Sequence, residues 1–337
     1  MEERKLVKSG LFSYTLALPK EWVVRHKLAK GSKIYLSEEH DSIILTPSAI
    51  KAREKTKRHR VLKVDDISPS TLSRDIIASY LTNCATITLE GKKLKNYLKI
   101  CREATAQLPG LEVIEETGDY IVLKDFISIE ELIVPDIIRR ADNIIRSLFL
   151  DAFECLQTGD AALAEAIRQR DKEVNRLSFL VSKCLYHINE QPQESRMHGV
   201  ETLHRTHIWE LNNYLEKIGD EIKRFAVLIP KAKLYQKDGR EIEALFRSVE
   251  LFYTKTMSAL YKGNTQEADE IAGRRQEIMH ACDEYLAKSQ STAKNAIVSK
   301  LNYLISFINS ISRLIRYIAF EKHMIINSKE VMLGAQH

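Results

Sequence analysis

The first 47 residues alternate apolar and polar positions with the period of short β-strands. Tyr14, Leu16 and Leu18 alternate with smaller or polar residues, which predicts a strand with one buried face. Pro19 has no amide hydrogen, so it ends this strand and can open a short helix, predicted over Lys20–Leu28. Further strands are predicted at Leu6–Val7, Lys33–Leu36 and Ser42–Thr46. Residues 1–48 therefore form a predicted β domain of two hairpins around one short helix.

Two hairpins of this length cannot bury a core of their own. Another surface has to cover the apolar face, and the most economical partner is a second copy of the same segment. The pattern therefore predicts a homodimer that forms through the N-terminal domain.

Between residues 61 and 130, strand-like runs alternate with helical ones. Strands are predicted at 61–64, 85–89, 112–115 and 120–123, and helices at 70–81 and 92–108. This βαβαββ order predicts a small α+β middle domain. A basic linker over 49–60 precedes it, and the segment contains no motif for catalysis or ligand binding.

From residue 135 onward the apolar spacing is helical and the pattern repeats. Gly159 precedes one long helix and Gly263 precedes another 104 residues later. Each copy has three predicted helices, at 136–157, 160–189 and 203–229, then at 240–261, 264–289 and 293–327. The C-terminal part is therefore predicted to be an all-α pair of three-helix bundles over 135–230 and 239–327. The chain as a whole is predicted to be an α+β multidomain protein.

Composition fits a globular protein, with 44% hydrophobic and 29% charged residues and few glycines or prolines. Neither a signal segment nor an apolar run long enough to cross a membrane is evident, so we expect a cytoplasmic protein without membrane insertion. The five cysteines have no metal-site spacing, which predicts reduced thiols in the core: Cys84, Cys101, Cys155, Cys184 and Cys282.

Positive charge is concentrated at the N-terminus. Residues 1–60 contain 14 Lys and Arg against 7 Asp and Glu, whereas the whole chain has a net charge of only +5. Such clustering favours binding to the phosphates of double-stranded DNA, although the same charges could simply solvate a surface and a linker. The predicted DNA-binding residues are Arg4, Lys5, Lys8, Lys20 and Arg25.

A second cluster of candidate residues lies in the first helical copy. Glu216 and Asp220 are four residues apart and so lie on one helix face, as do Asp171 and Asn175 on the preceding helix. Gly219 has no side chain inside a helix, which indicates close approach of another group. Three carboxylates and one carboxamide could bind a divalent cation, or the acids could be solvent-facing or paired with lysines.

Other catalytic or metal-binding signals are weak. His198, His204 and His207 lie near a predicted loop, but without a fourth ligand at fixed spacing they are interpreted as ordinary surface histidines. The chain has no P-loop, Rossmann glycine pattern, nucleophile elbow or zinc-hydrolase helix motif, so an enzyme is not expected.

The N-terminal pattern resembles a known family of DNA-binding domains. The resemblance rests on the runs Arg4–Val7, Ser9–Gly10, Ser13–Val23 and Leu28–Ile34, and it points to the AbrB/MazE-type swapped-hairpin domain. In that family two chains interlock their hairpins, and the dimer binds DNA or, in antitoxins, also a protein partner. The resemblance implies the same for residues 4–47.

The helical half resembles PhoU, the regulator of phosphate uptake. The resemblance spans about 136–327 and is carried by the run Glu216–Asp220 and by Arg170–Leu177. PhoU helices bind multinuclear iron or zinc clusters through acidic pairs. The resemblance therefore implies a divalent, iron or zinc ion in the first copy, at Asp171, Asn175, Glu216 and Asp220.

The second copy departs from that family pattern. Arg275 stands in the place of Asp171, Met279 in that of Asn175, and Arg316 where an aspartate would be expected. This copy is therefore predicted to be metal-free, and its arginines could instead hold an anion such as phosphate.

The combination of both segments resembles archaeal phosphate-uptake regulators. It predicts a dimeric, DNA-binding transcriptional regulator of phosphate uptake with a sensing or partner-binding helical part. The alternative is a PhoU-type signalling adaptor that binds a phosphate transporter or a kinase, with the N-terminal domain used only for dimerisation.

Overall fold

The computed structural model describes residues 3–39, 42–47, 58–200, 204–232 and 239–334. The chain divides into two compact units, Met1–Lys57 and Arg58–His337.

The N-terminal unit contains two separate antiparallel hairpins. Strand β1 (Leu6–Lys8) pairs with β2 (Tyr14–Leu16), and β3 (Tyr35–Glu39) pairs with β4 (Ser42–Thr46). Between them lies helix α1 (Lys20–Arg25). This helix is three residues shorter than predicted because Lys27 adopts a left-handed conformation, with φ of 51°, which no longer continues a right-handed helix. Residues 40 and 41, which connect β3 to β4, lie outside the described residues.

Apolar side chains of this unit are left uncovered by the chain itself. None of its side chains that the structure describes is buried, and Phe12 is 96% exposed. The face predicted to be buried on β2 is also open, with Tyr14 63% and Leu16 50% exposed. The described part of a single copy thus provides no core, and the interlocked dimer stays a prediction.

The second unit begins with a four-stranded mixed sheet in the order β5-β6-β8-β7. Only β5 and β6 are parallel, and the predicted βαβαββ order is confirmed. Strand β5 starts within the segment predicted as linker because Arg58 to Arg60 already pair with β6. Its elements are β5 (Arg58–Lys63), α2 (Pro69–Leu81), β6 (Cys84–Glu90), α3 (Leu98–Gln107), β7 (Leu111–Glu116) and β8 (Tyr120–Asp125).

Six long helices follow, as the apolar spacing predicts. The predicted repeat corresponds to two equivalent helix junctions, because Gly159 and Gly263 are both left-handed residues that end a helix. The next residues, Asp160 and Asn264, cap the following helices with their side-chain oxygens. The helices are α4 (Val134–Thr158), α5 (Ala161–Glu190), α6 (Arg205–Ala232), α7 (Arg240–Lys262), α8 (Thr265–Lys288) and α9 (Thr292–Gly334).

The two helical copies share one hydrophobic core. Helices α4, α5 and α6 pack on one another, as do α7, α8 and α9, and α6 also packs along α9. The ring of Phe246 lies 5.8 Å from that of Phe149 and 4.8 Å from that of Phe225, which joins the copies. The buried carboxylate of Asp142 on α4 accepts hydrogen bonds from the hydroxyls of Tyr253 and Tyr261 on α7. Neither copy therefore has a core independent of the other.

The sheet is anchored to α5 by a buried ion pair. The Lys183 ammonium lies 2.7 Å from Oδ2 of Asp125, at the end of β8, and donates to the carbonyl of Tyr80 on α2 at 2.8 Å. Lys183 is only 1% exposed. Since a buried charge is tolerated only when paired, this contact ties the sheet to the helices.

All five cysteines are buried free thiols, as predicted. Among the described residues, no helix is long and apolar enough to cross a membrane.

Candidate functional site

The facing surfaces of α5 and α6 bring together the predicted acidic residues around a close helix contact. Asp171 on α5 is 1% exposed and points at Gly219 on α6. A Cβ atom at Gly219 would lie only 3.0 Å from Oδ1 of Asp171. The predicted close approach is therefore confirmed, and the approaching group is a carboxylate.

A lysine lies between the carboxylates. The Lys223 ammonium donates to Oδ2 of Asp171 at 2.6 Å and also forms an ion pair with Asp220 on its own helix. Arg224 contacts the other oxygen of Asp220 at 3.0 Å and pairs with Glu221. Two positive side chains from α6 thus neutralise much of the acidic surface.

Burial and neighbouring charges shift the protonation of this cluster. Burial raises the pKa of Asp171, although its hydrogen bond from Lys223 opposes the shift. Burial also raises the pKa of Glu216, and the negative charges of Asp220 and Asp171 raise it further. Burial lowers the pKa of Lys223, but the hydrogen bonds to Asp171 and Asp220 outweigh it and leave this pKa raised. The lysine therefore stays charged while Glu216 gains a proton more easily than usual.

A lysine occupies the point where two of the four predicted metal ligands meet. Asn175 is half-buried, and its Oδ1 has no hydrogen-bond partner. Asp171 and Asp220 meet at the ammonium of Lys223, so a cation there would have to displace a positive side chain. The donor set as arranged does not fit a bound metal ion, and metal binding by these residues stays a prediction.

The equivalent surface of the second copy is also internally paired. Arg316, expected in place of an aspartate, forms an ion pair with Asp269 on α8. The guanidinium Nε of Arg275 is buried and has no hydrogen-bond partner. Because Arg316 is already neutralised by a carboxylate, the arrangement gives little support to the anion alternative.

Two of the histidines interpreted as surface residues are buried. His198 is fully buried and His204 is 7% exposed, whereas His207 is half-buried and stacks on the ring of Tyr317. The prediction was wrong for His198 because the segment that contains it, 195–200, packs against the start of α4 rather than extending into solvent. In that segment the backbone N–H of Val134 donates to the carbonyl of His198 at 3.0 Å. The prediction was also wrong for His204, which directly precedes α6.

The predicted DNA-binding residues all lie in the N-terminal unit and are all exposed. Lys5 directly precedes β1, and Lys8 is the last residue of that strand. Lys20 is the first residue of α1, and Arg25 is its last. Among the described residues, these four form no ion pair, in contrast to the cations on α6. Arg4 is exposed too and precedes β1.

Comparison with known proteins identifies one family. The model of the PhoU domain matches residues 138–229, which include most of α4, α5 and α6. No curated protein and no solved structure matches the chain. The matched region is the one that contains Asp171, Gly219 and Lys223. The PhoU domain suggests a role in regulating phosphate homeostasis, directly or as an adaptor.

Proposed function

We propose that the chain is a dimeric, DNA-binding regulator of phosphate uptake. In this proposal the N-terminal unit binds the duplex, and the PhoU-like helices sense an effector or bind a partner protein. The observation that carries the proposal is the set of exposed cations Lys5, Lys8, Lys20 and Arg25, which have no ionic partner within the described part of the chain. Cations that the fold does not use are available for phosphate groups.

The uncovered apolar side chains support the dimeric part of the proposal. Leu11 and Phe12 are 84% and 96% exposed, and β1 and β2 expose Leu6, Val7 and Leu16 as well. Several large apolar side chains exposed within one small unit are typical of an interaction site. A second copy would cover it and would double the number of cations presented to one duplex. Such a regulator would act in the cytoplasm and would catalyse no reaction.

Salt-dependent DNA binding tests the proposal. Fluorescence anisotropy of a labelled duplex should show affinity falling as salt rises, with a logarithmic slope of about −0.9 per phosphate contacted. Replacing Lys5, Lys8, Lys20 and Arg25 with glutamine should weaken binding by roughly 100-fold or more and flatten that slope.

A matched control replaces four exposed cations of the middle segment: Lys92, Lys93, Lys95 and Lys99. This variant loses the same formal charge and should keep both the affinity and the salt slope. Equal losses in the two variants would indicate a general effect of net charge and would contradict a DNA site in the N-terminal unit.

The second candidate function is that of an adaptor. The PhoU match favours it, because PhoU-domain proteins act with partners such as transporters or kinases. In this case residues 58–337 alone would recover phosphate-transporter subunits or a kinase in a pull-down, and residues 1–57 would serve only to dimerise. Recovery that requires the N-terminal unit would argue against the adaptor.

A further inference from the structure

We propose that His187, Glu194 and His198 form a binding site for a divalent transition-metal ion, best represented by Zn²⁺. The site lies where α5 ends and the segment leading to α6 begins. It is separate from the acidic residues of α5 and α6, and it does not depend on DNA binding.

Three ligand atoms of the right kind converge there. His187 is in the last turn of α5, Glu194 ends a short 3₁₀ helix at Pro192–Glu194, and His198 follows four residues later. Their candidate ligand atoms all lie within 4.8 Å of one another, and no other group of three such side chains meets this condition among the described residues. Two imidazoles and one carboxylate are a typical open zinc site, with the fourth position left for water.

His198 supplies a second and independent observation. Its side chain is fully buried, and its Nδ1 lies 2.8 Å from the carbonyl of Leu132. A carbonyl only accepts hydrogen bonds, so Nδ1 must carry the proton, and Nε2 of the neutral ring bears a free lone pair. Nε2 is buried and has no hydrogen-bond partner. Carbonyl-oriented imidazoles of this kind are common among metal ligands.

The other two ligands need only a small movement. Nε2 of His187 and Oε2 of Glu194 are 2.6 Å apart and share a hydrogen bond. Two ligands of a tetrahedral zinc ion are separated by about 3.3 Å, so the atoms would part by less than about 1 Å. Binding replaces the shared hydrogen bond by two metal–ligand bonds. The proton on His187 Nε2 moves to Nδ1, or leaves to solvent where Nδ1 already carries one, so that a neutral imidazole binds the ion.

The surrounding fold holds the site in place. His187 and His198 meet edge to face, with ring centroids 5.5 Å apart. The turn after His198 is fixed by Gly199, whose φ is 67° and whose missing Cβ would lie 3.0 Å from Pro135 at the start of α4. A bound ion would therefore join the end of α5 to a segment that is already packed against α4.

Zinc titration of the full chain, stripped with a chelator, tests the site. The wild type should bind one Zn²⁺ per chain by isothermal titration, and saturating zinc should raise Tm by roughly 5 °C. Glu194→Gln and His198→Gln should each reduce affinity at least 100-fold and abolish the rise in Tm. Co²⁺ should give the visible absorption of a tetrahedral complex in the wild type but not in Glu194→Gln or His198→Gln.

A matched control is available on α8. His280 lies 3.3 Å from Glu284 and forms an exposed His–Glu pair without a third ligand, so His280→Gln should bind zinc as the wild type does. Asp220→Asn separates this site from the acidic residues of α5 and α6. Glu194 is only half-buried, so Glu194→Gln keeps the test valid even if His198→Gln fails to fold. The proposal would be overturned if the wild type bound no zinc or if Glu194→Gln still bound it. It would also be overturned if only Asp220→Asn lost zinc binding.

Discussion

Positive side chains serve different purposes in the two compact units. In the larger unit, Lys183 and Lys223 are held against carboxylates, and both contacts link different elements of the fold. In the N-terminal unit, Lys5, Lys8 and Lys20 are exposed and form no ion pair with any described residue. Apolar side chains follow the same division, because they form two buried cores in the larger unit, whereas none of those described in the smaller unit is buried.

This difference separates what stabilises the chain from what is available for binding. Cations that neutralise buried carboxylates cannot be removed without leaving a buried charge unpaired. Cations that touch only solvent contribute little to folding, so their concentration in one unit calls for another explanation. Mutation of a paired cation should therefore lower the stability of the fold. Mutation of an exposed cation should leave stability nearly unchanged and weaken DNA binding instead.

The largest loss of stability is expected for Lys183→Met. The side chain of its partner Asp125 is only 9% exposed, so the substitution leaves a carboxylate almost without solvent or counterion. The free energy of unfolding, measured with urea, should fall by about 3–5 kcal/mol. Lys172→Met on the exposed face of the same helix is the control and should change stability by less than about 0.5 kcal/mol. Similar losses in both variants would show that the buried ion pair does not hold the sheet to α5.

A smaller loss is expected for Lys223→Met. It removes a hydrogen bond to the buried Asp171, but Lys223 is itself 23% exposed and Arg224 still pairs with Asp220. We expect a loss of about 2 kcal/mol by urea unfolding, less than for a fully buried pair. Lys231→Met, at an exposed position on the same helix, should be near neutral. A neutral result for Lys223→Met would mean that Asp171 tolerates burial without a cation.

The pH dependence of stability should reveal the raised pKa of Glu216. Its pKa is raised by burial and by the charges of Asp220 and Asp171, so the folded state binds its proton more tightly than the unfolded state. Stability should then fall as pH rises through the ordinary glutamate pKa of 4.5 toward the raised value. Glu216→Gln removes this penalty, so it should be more stable than the wild type above that range.

The advantage of Glu216→Gln should shrink as pH falls below the ordinary pKa, because both states of the wild type are then protonated. We expect a gain smaller than either lysine loss. The control is Glu173→Gln, an exposed position on α5. A difference between wild type and Glu216→Gln that does not vary with pH would contradict the assigned shift.

The smallest effect on stability is expected in the N-terminal unit. Lys8→Gln removes an exposed charge at the end of β1 and should change the free energy of unfolding by less than about 0.5 kcal/mol. The same variant should weaken DNA binding and flatten its salt dependence by about one to two phosphate contacts per dimer. Destabilisation as large as that of Lys223→Met would place Lys8 among the structural cations and remove the contrast between the units.

The regular elements were predictable because their signals are local. Two glycines, Gly159 and Gly263, each end a helix, and the next residue caps the following one. Such end signals, and the apolar spacing between them, can be read from the sequence without knowing how the helices pack. Gly219 likewise indicated a close approach that is present.

Long-range polar contacts were not predictable in the same way. Asp125 is 58 positions from Lys183, and Tyr253 is 111 positions from Asp142, so no sequence spacing relates the partners. The burial of His198 depends equally on the packing of its segment against α4. A charged residue on an otherwise apolar helix face, as at Lys183, is the one local signal that such a contact exists.

The mass of the intact chain in solution tests the central claim most directly. We propose that a second copy completes the N-terminal unit, which buries none of its described side chains. Light scattering at micromolar concentration should therefore give twice the chain mass of 38.7 kDa, and deletion of residues 1–57 should abolish the dimer. A mass of 38.7 kDa for the full chain, with helical and strand content intact by circular dichroism, would contradict it.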